Sequence, residues 1–65
     1  MIDINNIVEC IWTVGEGRCS EYRYGTLEAF KNSSWGVLQK VVLKDGSEIR
    51  ACGVLERLEK VIRNM

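Results

Sequence analysis

The chain contains no histidine and no proline, and its 9 basic residues are balanced by 9 acidic ones. Without histidine it lacks the commonest general base and the commonest transition-metal ligand. A Ser-His-Asp or Cys-His arrangement cannot be assembled within one chain. Cysteine is sparse. Cys10, Cys19 and Cys52 form no C-x-x-C pair, and three thiols without histidine fall short of a closed tetrahedral zinc site. Their odd number excludes a complete set of intrachain disulfides, so reduced cytosolic thiols acting as small core residues are expected. Long apolar runs are also missing. None exceeds three residues, as at Val41-Val42-Leu43, against the ~20 that a membrane span needs. The start, Met1-Ile2-Asp3-Ile4-Asn5-Asn6, has neither the basic region nor the apolar core of a signal peptide. The expectation is a cytoplasmic protein with no membrane association, no metal and no cofactor.

Length is limited as well. Residues 1–65 allow one domain at most. A chain of this size buries only ~60% of the surface its unfolded form exposes. A partner that covers further surface would add stability, so self-association into a homo-oligomer is expected. A clustered basic surface, the usual mark of phosphate binding, is absent from the sequence, where both charge signs are interspersed. Nucleic acid is therefore disfavoured as a partner.

What is present reads mainly as β structure. Residues 7–14 are rich in β-branched and aromatic types, with Cys10, Trp12 and Val14 on one face and Ile7, Glu9, Ile11 and Thr13 on the other. Gly15-Glu16-Gly17 reads as a turn. Residues 19–24 alternate as a second strand that puts Tyr22 and Tyr24 on one face. Residues 26–44 fit two templates. A helix would align Leu27, Phe30, Ser34, Leu38, Val41 and Val42, but Asn32-Ser33-Ser34 and Gly36 oppose a helix interior. The preferred expectation is a strand at 26–31, a turn at 32–34 and a strand at 35–43. Lys44-Asp45-Gly46-Ser47 marks a hairpin leading into Glu48-Ile49-Arg50-Ala51.

After Gly53 the period changes. Val54, Leu55, Leu58, Val61, Ile62 and Met65 repeat at three and four, predicting an amphipathic helix over 54–64 with Glu56–Lys60 and Glu59–Arg63 as i,i+4 pairs. The expected fold class is α+β and mainly antiparallel β. It would be a small five-stranded barrel or half-barrel closed by a C-terminal amphipathic helix.

Gly25-Thr26-Leu27-Glu28-Ala29-Phe30 with Leu38, and Cys52-Gly53-Val54 further on, resemble the two motifs of Sm-like proteins, which are SH3-like small β-barrels. The resemblance spans about half of the chain and rests on glycine and hydrophobic positions. It implies barrel shape and ring assembly. It does not carry the RNA pocket. Where that family has an aspartate, an asparagine and an arginine, this sequence has Lys31, Trp35 and Cys52.

No pair of carboxylates has a spacing that places both on one catalytic wall. Gly15-x-Gly17 lacks the following helix, lysine and hydroxyl of a phosphate loop. The chain is not expected to be an enzyme. The candidate binding residues are Arg18, Tyr22, Arg23, Tyr24 and Trp35. Tyrosine, arginine and tryptophan are enriched at protein interfaces, and the same types serve as stacking platforms for single-stranded nucleic acid. Packing of a half-exposed sheet face accounts for the tyrosines equally well, and Trp35 could simply cap the core. The expected function is a small binding module that works through protein–protein contact. Blocking a host enzyme, as small phage-encoded proteins often do, is one form of such contact. The alternatives are an Sm-like or SH3-like nucleic-acid binder and an oligomer that sequesters a small nucleotide.

Overall fold

The structure, a computed structural model, describes residues 3–15, 17–33 and 36–65. The β-branched run becomes the central strand, β1 (Ile7–Val14). A 3-10 turn at Ile4–Asn6 leads into it, capped by Asp3, whose carboxylate accepts from the Asn5 N–H at 2.9 Å. β2 (Glu21–Gly25) returns antiparallel along one edge of β1, and β3 (Val37–Leu43) along the other. β4 (Glu48–Ile49) pairs with β3, so the sheet order is β2-β1-β3-β4. The Asp-Gly hairpin forms as its sequence predicts. Gly46 takes φ +89°, and the Asp45 carboxylate accepts from both the N–H and the hydroxyl of Ser47.

The architecture is α+β with an antiparallel sheet and a C-terminal helix, but the sheet has four strands and is open. The fifth strand expected at 26–31 is instead a short helix, α1 (Leu27–Lys31). Three features select it. The Thr26 hydroxyl accepts from the Ala29 N–H at 3.1 Å, which satisfies one of the free donors of the first turn. Phe30, three residues after Leu27, is fully buried and meets Trp12 edge to face at a ring separation of 5.4 Å. Asn32 then ends the helix with its N–H on the Glu28 carbonyl at 3.0 Å. With α1 in that place, β2 and β4 remain the two edges and no barrel closes.

The C-terminal helix, α2 (Cys52–Arg63), begins two residues before the expected start and packs Leu55, Leu58 and Ile62 against the sheet. Val54, Val61 and Met65, assigned from periodicity to the same stripe, are exposed. Neither expected pair within α2 forms. Glu59 accepts from the backbone N–H of Leu38 at 3.0 Å. Arg63 donates to the carbonyls of Ser33 and Gly36, each at 2.8 Å, and its guanidinium lies 4.6 Å from the Phe30 ring centre. The helix therefore grips the chain on both sides of the entry to β3, and backbone groups outcompete the exposed i,i+4 partners because they are fixed and partly shielded.

The core lies between the sheet and the two helices and comprises Ile7, Cys10, Trp12, Phe30, Leu38, Val41, Leu55, Leu58 and Ile62. Gly36 approaches it so closely that a Cβ there would lie 2.5 Å from Cδ1 of Trp12. Of the three cysteines, all free, only Cys10 is a core residue; Cys19 and Cys52 are exposed. Burial, assisted by the neighbouring Glu9 charge, pushes the Cys10 thiol up to about 11. No described helix is long and apolar enough to cross a membrane.

Candidate functional site

Both helices lie on one side of the sheet, and neither covers the opposite face. Strand alternation decides what stands on it. Tyr24 is paired with Ile11 and Tyr22 with Thr13, so all four project to the helix-free side. On the other flank Ile11 is paired with Lys40. The ladder between β1 and β3 slips by one residue between Ile11 and Trp12, which makes Gln39 the extra residue of a β-bulge. The bulge turns both Gln39 and Lys40 to the same face, and the Gln39 amide donates to the Thr13 hydroxyl at 3.2 Å. A second slip, at Val8, lets both Ile7 and Cys10 reach the core despite their odd spacing.

The result is a shallow depression of about 340 Å³ bounded by Ile11, Tyr22, Tyr24, Gln39, Lys40 and Arg50. Ile11 is its floor. Only 7% of Ile11 is exposed, although it lies outside the core cluster; the side chains of this face cover it. Tyr22 and Tyr24 form the wall and are 64% and 68% exposed. Across from them the Glu48 carboxylate holds Lys40 at 3.0 Å and Arg50 at 2.9 Å. These two hydrogen bonds, the one from Lys40 first, hold Glu48 below the usual carboxylate range. The face thus combines a large aromatic area, a buried aliphatic floor and a Lys40–Glu48–Arg50 group with one net positive charge.

The candidate residues named from sequence separate. Tyr22 and Tyr24 meet in the depression. Arg23 lies between them in sequence but is paired with Trp12, so it projects to the helix side of the sheet, where Glu21 holds it at 3.0 Å. Arg18 belongs to the 3-10 turn Gly17–Cys19 before β2 and does not line the depression. Trp35 lies outside the described residues, as does Ser34 of the expected turn at 32–34. The cations that do stand beside the tyrosines, Lys40 and Arg50, arrive by strand pairing and by the Gln39 bulge, which no local sequence motif announces. Among the described residues no group of three or more cysteine, aspartate or glutamate side chains is placed to hold a metal ion. No protein-family model, curated protein or solved structure matches this chain.

Proposed function

We propose that the chain is a non-enzymatic binding module that acts through protein–protein contact made by the helix-free face of its sheet, with self-association among its contacts. One observation carries this reading. Two tyrosines, 64% and 68% exposed, stand around an aliphatic floor on a sheet face that neither helix covers. Tyrosine supplies large contact area with only two side-chain torsions to restrict, and such side chains dominate binding energy when a partner excludes water from them. The charge arrangement favours protein over nucleic acid. Lys40 and Arg50 share the single carboxylate of Glu48, and Arg23 is held by Glu21 on the other face, so one net positive charge stands beside the tyrosines, short of the clustered basic surface that phosphate binding uses.

The test is binding by the immobilised chain with and without Tyr22→Ala and Tyr24→Ala. A protein ligand retained by the parent chain should be lost from the double variant, with each single substitution costing about 1–2 kcal/mol. Its retention should depend only weakly on salt. Retention by a double variant that is still folded refutes the reading. Capture of single-stranded RNA or DNA, released steeply by salt, replaces it with the nucleic-acid alternative.

A further inference from the structure

β2 is an edge of the sheet, paired with β1 on one side and with no strand among the described residues on the other. Its backbone offers a ready row of hydrogen-bonding groups to any further strand. The side chains along it carry a specific charge order. Glu21, Tyr22 and Arg23 follow in direct succession, all exposed, and the two charges already attract each other within the strand at 3.0 Å. In an antiparallel pair, a residue one position before the symmetry axis faces a residue one position after it. A twofold axis at Tyr22 therefore sets Glu21 of each copy opposite Arg23 of the other. An axis at Arg23 would instead set arginine directly against arginine, a destabilising arrangement across strands, and an axis at Tyr24 would leave Arg23 facing Gly25 without a charge partner.

We propose that β2 pairs edge to edge with β2 of a second copy of this chain, antiparallel about a twofold axis at Tyr22. Two reciprocal Glu21–Arg23 contacts then lie on the helix side of the joined sheets. The two Tyr22 rings meet on the helix-free side. Each in-chain Glu21–Arg23 pair joins a ring of four alternating charges. The two tyrosine faces become one continuous eight-stranded surface, and the strand edge is removed from solvent. The contact is isologous and closes at two copies. This inference rests on the reading of the tyrosine face as a protein-contact surface, and it assigns the edge beside that face to a second copy.

Charge reversal tests it. The parent chain should sediment as a dimer at twice 7.4 kDa when concentrated and dissociate on dilution. Glu21→Arg sets arginine against arginine at both contacts, and Arg23→Glu sets glutamate against glutamate. Each should weaken self-association by about tenfold or more. An equimolar mixture of the two variants restores opposite charges at both contacts and should form a mixed dimer that neither variant forms alone. A merely structural role for either residue would give no such rescue. Circular dichroism of each variant checks that the fold is kept. A parent chain that stays monomeric overturns the proposal, and the charges then act to protect the edge. Unchanged association of Glu21→Arg, or a mixture no tighter than its components, overturns the register. A monomeric parent that still loses its protein ligand on Tyr22→Ala and Tyr24→Ala leaves the tyrosine-face reading standing while this one fails.

Discussion

Arg63 offers the sharpest energetic test of how α2 is fixed. Its guanidinium donates to two backbone carbonyls, those of Ser33 and Gly36, and covers the Phe30 ring. A hydrogen bond from a charged donor contributes about 1.5–3 kcal/mol net, and a cation over an aromatic face about 0.5–2 kcal/mol. The terms overlap, because one side chain makes all three contacts and remains partly solvated. Arg63→Met keeps most of the stem and its packing on Phe30 but removes every donor. The expected loss is about 2–4 kcal/mol. For 65 residues the whole stability lies at about 3–10 kcal/mol, so the variant should retain only a thin margin. Arg63→Lys keeps the charge but not the planar fork that reaches two carbonyls at once, and should lose about half as much. Urea titration followed by far-ultraviolet circular dichroism measures both. An Arg63→Met midpoint that matches the parent would refute the account of α2 as a clamp on the entry to β3. Glu59 grips the same segment at Leu38, so Glu59→Ala and Arg63→Met should be non-additive.

Two further outcomes follow from the core. Gly36→Ala places a methyl group 2.5 Å from Cδ1 of Trp12, whose ring is boxed in by Phe30; it should destabilise by about 1–3 kcal/mol in the same titration, and a neutral result would disprove the close approach. Cys10 should resist thiol reagents that modify Cys19 and Cys52 in the native state. Its raised pKa also has a pH consequence. Above pH 9 the unfolded chain releases the Cys10 proton while the fold retains it up to about 11, so fewer protons are bound in the unfolded state. Its contribution is fully present below pH 9 and falls with rising pH by at most about 1.4 kcal/mol per unit across that window. Cys10→Ala should remove this part of the alkaline slope, which a pH series of melts will show or deny.

The elements with local causes were legible in the sequence. Asp45-Gly46 carries its own turn geometry, the alternation of residues 7–14 matches a strand covered on both faces, and the three-four spacing of Leu55, Leu58 and Ile62 matches a packed helix. The expectation of a strand at 26–31 rests on Asn32-Ser33-Ser34 and Gly36, which oppose one helix across 26–44 but not a short helix that ends before them. What decides between the two is a Thr26 cap acting with a distant contact from Phe30 to Trp12. Arg63 looked like a surface partner for Glu59 because spacing along a helix shows which residues are neighbours and not which carbonyls approach from elsewhere. For the candidate site, Tyr22 and Tyr24 were visible from strand alternation. Lys40 and Arg50 reach them through pairings across the sheet and a bulge at Gln39, both set by tertiary packing.

β1 has neighbours on both edges, core on one face and the side chains around Ile11 on the other. Opening it would break two ladders and expose two apolar layers together, so its amides belong to the slowest class of hydrogen exchange. The tyrosine wall is hydrogen-bonded directly to this strand. A ligand that settles there meets a backbone already ordered by folding, and the entropy lost on contact is confined to a few side-chain torsions. Small size, which limits the core, thereby places the outward-facing surface one strand away from the most protected part of the molecule.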